Sequence, residues 1–338
     1  MSQIKGFLSE RNRWDFRSGQ IVFEWEDIIA ERLQYKIYFA KQIHHTIIRK
    51  LYRLKLRNIV LLLDSLRPIK NYTLYFKMTA STELLLCNLK HIIPVIIDFW
   101  LSKDDLPEFY KTHANCRFLF ISSKEVYDFL KENNCPLTIY HLPLSLPDHY
   151  ISEERIHSEK KIDFLFAGRV NPTFWEYVLK YEKQHPQIEY VYQELRDKTP
   201  VYISNKRGEL KEDYFSRENY TKLLAEAKFA FYITPGIDPA KKGANGFNQV
   251  TPRFLELISS GNVVLGQYPK NSDTDYYEME KYCLQINNYN EFAKTVDKFL
   301  NDDIRKNHLT NYQEYLRNHS TTFSCDLLKN ILNKDLIG

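Results

Sequence analysis

Glycine is scarce, with 10 in 338 residues. That leaves no long flexible linker. No G-x-G-x-x-G run and no Walker-type loop occurs, so dinucleotide and P-loop chemistry lose their usual phosphate cradle. The five cysteines (Cys87, Cys116, Cys135, Cys283, Cys325) are scattered without a C-x-x-C pair. They read as reduced, mostly buried thiols of a cytoplasmic protein rather than as a zinc site or a disulfide framework. No apolar run reaches the ~18 residues that span a bilayer. No N-terminal segment combines a charged start, a long apolar centre and a small-residue cleavage site, so no secretory leader is expected. A net charge of +4 is too mild to imply nucleic acid.

What is present is apolar and alternating. Hydrophobic residues make up 43% of the chain, enough for real cores, and the length suits roughly two domains of about 150 residues each. Short apolar runs alternate with helical patterns, which predicts parallel sheets covered on both faces. In the first half, strands are expected at Asn58–Asp64, Ile92–Phe99, Arg117–Ser122 and Leu137–Leu142, with helices at Ser81–Lys90 and Lys124–Asn133. Residues 1–30 read as an irregular start or an edge strand at Gln20–Trp25. The polar stretch after Pro147 marks a boundary, giving domains 1–147 and 148–338. The second half repeats the theme. Strands are expected at Ile162–Ala167, Ile188–Tyr192, Val201–Ser204, Phe229–Thr234 and Val263–Leu265. Helices are expected at Thr173–Lys183, Asn219–Ala227, from Pro252, at Glu291–Leu300 and at Ile304–Arg317.

From Arg32 to Arg57, apolar residues recur at helical spacing among eight lysines and arginines, with no acidic residue. This reads as a basic amphipathic helix, either a surface helix of an α/β domain or a face that rests on anionic lipid.

The most informative run is Gln249–Gly266. Thr251 can cap a helix, Pro252 suits its first position, and Gly261 stands where a helix-ending glycine belongs. Phe254, Leu257 and Ile258 fall on one side of that helix. Arg253 and Glu256, three apart, share the other. An arginine and a carboxylate aimed outward at a helix start can hold a phosphate and a sugar hydroxyl together. Ligands of open parallel sheets bind past the carboxyl ends of the strands. That rule adds Gly168 and Arg169, where glycine lets the backbone approach a ligand and arginine can pair with a diphosphate.

These residues carry a resemblance. Phe164–Arg169 (FLFAGR), Thr251–Glu256 (TPRFLE) and Ser260–Gly261 resemble the donor-binding domain of bacterial GT-B glycosyltransferases, of the group 1 and spore-maturation types. The Thr-Pro-Arg run is also similar to the phosphate-binding segment of bacterial α1,3-fucosyltransferases. The resemblance covers about residues 160–318, and the first half only through its α/β pattern and Ile121-Ser122-Ser123. It implies two Rossmann-like parallel-sheet domains facing across a cleft, the first binding acceptor and the second a nucleotide sugar. The nucleotide sugar is a co-substrate, and no cofactor or metal is implied. Glu256 then matches the carboxylate that holds the ribose hydroxyls, and Arg253 and Arg169 the basic groups near the diphosphate. Thr251 belongs to the same segment, and the loop Gly243–Gln249 lies where the donor sugar is gripped. Asn248 stands where retaining members often carry a second glutamate. An amide can hydrogen-bond a sugar but cannot act as a base, so retention and inversion both stay open.

Inversion needs a base for the acceptor hydroxyl. Asp98 and Asp64, each at the end of a predicted strand, are the candidates, or else each caps the turn that follows. His113 is a weaker one. Asp273-Thr274-Asp275 has a metal-binding D-x-D form but reads as a solvated polar loop, and Lys206-Arg207 could reach a phosphate. The expected function is transfer of a sugar from a nucleotide sugar to a glycan or lipid-linked acceptor in bacterial surface polysaccharide assembly. The expected location is the cytoplasm, either free or peripheral at the inner face of the plasma membrane. The alternatives are a GT-B-fold sugar-nucleotide epimerase and a non-catalytic glycan-binding relative.

Overall fold

The computed structural model describes residues 3–11, 17–39, 46–47, 50–51, 53–54, 56–66, 71–81, 91–196 and 199–337. They divide into two compact units, residues 1–147 with 321–338, and residues 148–320.

The first unit holds β1 (Gln3–Ser9), α1 (Arg17–Leu33), β2 (Lys36–Phe39), α2 (Arg57–Ser65), β3 (Asn71–Thr79), β4 (Ile92–Asp98), α3 (Leu106–His113), β5 (Leu119–Ile121), α4 (Lys124–Glu132) and β6 (Ile139–His141). All pairings are parallel, in the order β2-β1-β3-β4-β5-β6. The chain steps from β1 to β2 on one side and then to β3 on the other. Its topological switch point therefore lies between the carboxyl ends of β1 and β3.

The second unit holds α5 (Glu153–Ile156), β7 (Ile162–Leu165), α6 (Pro172–Gln184), β8 (Tyr190–Arg196), β9 (Thr199–Ser204), β10 (Gly208–Glu209), α7 (Arg217–Ala225), β11 (Ala227–Ile233), α8 (Pro252–Ser259) and β12 (Val263–Gln267). There follow α9 (Ser272–Tyr276), α10 (Met279–Tyr282), β13 (Cys283–Gln285), α11 (Tyr289–Phe299), α12 (Asp302–Leu309) and α13 (Tyr312–Arg317). The strand order is β10-β9-β8-β7-β11-β12-β13, antiparallel only across β8-β9-β10. Here the switch point lies between β7 and β11. Phe164, Phe229, Val263 and Phe292 are wholly buried between strands and helices. Each such side chain contributes about 1.5–3 kcal/mol relative to exposure.

Three expectations for the first half are corrected. Gln20–Trp25 is not a strand but part of α1, where Ile21, Val22, Trp25 and Ile29 bury one helical face. The Arg32–Arg57 stretch is not one helix. α1 ends at Leu33, Gln34 takes φ 56°, and Lys36–Phe39 pairs with β1. Ile37, Tyr38 and Phe39 are strand formers, and the sheet edge outweighs the helical spacing. Asn58–Asp64 is helix α2 rather than a strand, because a short apolar run does not reveal its own period. Asp64 thus sits within a helix, and its side chain lies outside the described residues, as does most of the Ser81–Lys90 segment. Strands β1 and β3 carry no expectation in the sequence reading.

The expectation that the second domain runs to residue 338 is also corrected. Helix α14 (Thr321–Ile337) belongs to the first unit, where Arg32 on α1 reaches Asp326 at 3.4 Å and Thr321 Oγ1 lies 3.1 Å from Ser145 Oγ.

Candidate functional site

Helix α8 begins after the left-out-of-sheet loop 234–251, and its first residues converge with the end of β7. Pro252 occupies the first turn, and Ser260 ends the helix before Gly261. Gly261 takes φ +62°, and a Cβ there would stand 1.8 Å from the carbonyl oxygen of Ile156. Only glycine fits. Thr251 does not cap through its side chain as expected. Its Oγ1 lies 3.3 Å from the Tyr232 hydroxyl, which also accepts from the Thr251 amide at 2.8 Å.

Glu256 is buried rather than aimed outward. Its Oε1 accepts from Arg217 Nη1 at 2.5 Å and its Oε2 from Arg253 Nε at 3.1 Å. Burial alone would raise this carboxyl. The charges and hydrogen bonds of Arg217 and Arg253 outweigh it and hold the group below the ordinary carboxylate value. Arg253 continues to β7, where Nη1 donates to the carbonyl of Ala167, and its guanidinium lies 5.0 Å over the Tyr220 ring. Gly168 follows at once, and a Cβ there would come to 3.3 Å from Arg253 Nη1. Gly168, Arg253 and Glu256 therefore meet at the carboxyl end of β7.

Arg169 lies beside them, half-exposed. Its Nε is 3.4 Å from Asp238 Oδ2, a buried carboxylate on the loop after β11. Asn171, the cap of α6, donates to the other oxygen of Asp238 at 3.2 Å. Asp238 thereby joins the β7 and β11 ends across the switch point. Asn248 is buried in the same loop. Its Oδ1 accepts from Thr234 at 2.8 Å and its Nδ2 donates to the Gly246 carbonyl at 3.0 Å, so the amide shapes the loop from within.

Several sequence candidates have other surroundings. Asp273 is wholly buried rather than solvated. It opens α9 and accepts from the Val250 amide at 2.6 Å, pinning the loop ahead of α8, while Asp275 is exposed. Among the described residues no group of three or more His, Cys, Asp or Glu side chains converges as metal ligands would. Lys206 and Arg207 follow β9, which runs antiparallel to β8. They therefore lie at the amino ends of the parallel strands, away from Gly168. Lys206 donates to the Pro186 carbonyl and Arg207 Nε to Glu189 at 2.6 Å. His113 is not in a loop. It ends α3, buried, with Nδ1 donating to the Phe109 carbonyl at 2.9 Å. Asp98 does end β4 at a carboxyl edge, half-buried, and its carbonyl accepts from the Ala80 amide at 2.7 Å. Cys116, Cys135, Cys283 and Cys325 are free thiols, and Cys87 lies outside the described residues.

Sequence reasoning missed Arg217, Tyr232 and Asp238, which carry no motif. It also missed a second polar cluster, at the β1 end of the first unit. There Ser9 donates to Glu26 Oε2 at 2.5 Å, and Arg11 Nη2 reaches the same oxygen at 3.2 Å. Burial pushes the Glu26 carboxyl up to about 7, against the opposing pull of Ser9 and Arg11.

No protein-family model and no curated protein matches the chain. Solved structures do. The chain is similar to Anabaena HepE in complex with UDP-glucose, with a TM-score of 0.57, 10% identity, and 99% and 100% of the two chains covered. It is similar to the N-terminal domain of Candida albicans trehalose-6-phosphate phosphatase, with a TM-score of 0.57, 10% identity, and 98% and 97% covered. It is also similar to a trehalose-6-phosphate synthase studied for glycosyltransfer with retention, with a TM-score of 0.52, 12% identity, and 95% and 84% covered. Against the GtfA/B complex it spans 60% of the matched chain's length, at a TM-score of 0.47. The element order, the two parallel-dominated sheets and the three likenesses at TM-scores of 0.52 and 0.57 together establish the fold as α/β of the GT-B type.

Proposed function

We propose that the chain is a glycosyltransferase that moves a sugar from a nucleotide-sugar donor to a glycan or lipid-linked acceptor, in the assembly of a bacterial surface polysaccharide. The observation that supports this most is the convergence of Gly168, Arg253 and Glu256 at the carboxyl end of β7, beside the half-exposed Arg169. In this reading residues 148–320 take the donor and the first unit takes the acceptor. The UDP-glucose held by HepE, on the same fold, agrees with a nucleotide-sugar ligand.

Each group then has a task. Glu256, kept ionised by its arginines, accepts from the ribose hydroxyls. Arg169 and Arg253 offset the charge that grows on the departing nucleoside diphosphate, without a metal. Thr251 and Asn248 hold the loop that closes on the donor. Asp98, at the end of β4, is the candidate base if the reaction inverts, ahead of Asp64 on its helix.

A thermal-shift panel of nucleotides and nucleotide sugars tests the donor, since a ligand of the native state alone raises its melting point. Arg253→Ala and Glu256→Gln should each lower transfer at least about 100-fold with circular dichroism unchanged. Full turnover in both variants would remove the assignment. Incubation with a nucleotide sugar alone, with no epimer formed, separates transfer from epimerisation.

Attachment to an anionic membrane surface is a separate part of the proposal. No described helix is long and apolar enough to cross a membrane. Leu54, Ile59, Leu62 and Leu66 are each more than half exposed, next to the exposed Lys50 and Arg53. Apolar side chains flanked by cations suit the surface of anionic lipid. Sedimentation with phosphatidylglycerol vesicles should decline with salt and be lost in Leu62→Ser/Leu66→Ser. Binding only to neutral vesicles, or to none, would contradict it.

A further inference from the structure

We infer that Arg217 is a positioning residue for the donor site: it keeps Glu256 ionised and in place, so that Arg253 is at liberty to turn from Glu256 to the phosphates of a bound nucleoside diphosphate. The inference rests on the donor-site reading above and deepens it.

The two guanidiniums hold different oxygens of one carboxylate, Arg217 on Oε1 and Arg253 on Oε2. Their settings differ. Arg217 opens α7, its side chain is 13% exposed, and its guanidinium lies 5.3 Å over the Tyr150 ring. Arg253 is more open, at 28% exposed; it donates to the Ala167 carbonyl and lies 5.0 Å over the Tyr220 ring, and the missing Cβ of Gly168 lets it stand at the carboxyl end of β7. A buried carboxylate left without a counter-charge is strongly disfavoured. Arg155, bonded to Thr221 and Ser260, adds a further positive charge near Glu256 without a hydrogen bond to it. With Arg253 as its one hydrogen-bonded partner, Glu256 would hold that arginine back from any phosphate. A second guanidinium, more enclosed than Arg253 and closer to the carboxylate, removes the conflict. One arginine stays with the carboxylate and the other exchanges partners. The sequence places Arg217 and Glu256 39 positions apart, with no motif linking them.

The test is calorimetric binding, across pH 5 to 9, of whichever of uridine, guanosine, adenosine, thymidine and cytidine diphosphate the wild type binds most tightly. Arg217→Gln should weaken binding about tenfold at neutral pH. It should also move the acid-side loss of affinity to higher pH, because Glu256 keeps its burial and loses its nearest positive charge. Arg217→Lys should restore much of both. Tyr150→Leu, which loosens Arg217 and also Arg155 over the same ring without removing either, should move the acid limb the same way by less, and it carries the comparison if Arg217→Gln does not fold. A structural role alone would lower affinity equally at every pH. An unmoved acid limb in these variants, with or without weaker binding, would overturn the inference. A wild type that binds none of these diphosphates would overturn the donor-site reading and this inference with it.

Discussion

Two buried glutamates, one in each unit, stand near the switch points of their sheets and have opposite fates. Glu26 meets one guanidinium, at 3.2 Å, and a serine hydroxyl. Burial wins, and its carboxyl rises to about 7. Glu256 is just as enclosed but meets two guanidiniums on separate oxygens, and they outweigh burial, so its carboxyl falls. The number of positive partners, rather than depth, decides which carboxyl is charged at neutral pH. A charged carboxylate can accept from ribose hydroxyls, whereas one that titrates near neutrality holds Ser9 and Arg11 together at the end of β1.

This contrast can be broken by mutation. The largest effect is expected at Glu256, because Glu256→Gln leaves two arginines without their counter-charge. Breaking a buried pair costs about 3–5 kcal/mol, read by urea denaturation at pH 7. The loss should shrink in acid. A depressed carboxyl stabilises the fold above its unfolded pKa, and that contribution disappears as pH falls through the folded value.

Glu26 has the reverse sign. Its raised carboxyl makes the folded state bind more protons than the unfolded one between its ordinary value of 4.5 and about 7, so stability declines as pH rises through that window. The decline amounts to about 3 kcal/mol at this site. Glu26→Gln should flatten the dependence and leave the protein more stable than wild type at pH 8. A steeper decline in the variant would contradict the account. The smallest effect is expected for Ser9→Ala, which removes the 2.5 Å bond to Glu26 and should cost about 1 kcal/mol at pH 8, and less at pH 5. Equal costs at both pH values would show that Ser9 does not act through the carboxylate.

The second unit was legible because its central strands β7, β11 and β12 are short apolar runs bordered by well-marked helices. Phe164–Ala167 into Thr173 and Val263–Leu265 after Gly261 are examples, and their positions hold within a few residues. The first unit was harder. β1 and β3 mix Gln3, Lys5, Lys77 and Thr79 with apolar residues, and α2 is an apolar run with no visible period. Sequence reading also grouped Gly168, Arg169, Arg253 and Glu256, because a parallel sheet sends successive strand ends to one edge. It misjudged how they meet. Arg217 and Asp273 enter from the starts of other helices and Asp238 from a loop, and only the folded chain shows that Glu256 is enclosed by arginines and Asn248 by its own loop.

Hydrogen exchange with and without a saturating nucleoside diphosphate compares the two switch points in a single measurement. Protection should concentrate at residues 167–171 and 234–256, with the backbone around Ser9 and Glu26 unchanged. Protection confined to the β1 end, or equal exchange in both states at demonstrated saturation, would contradict a nucleotide site built on Arg253 and Glu256.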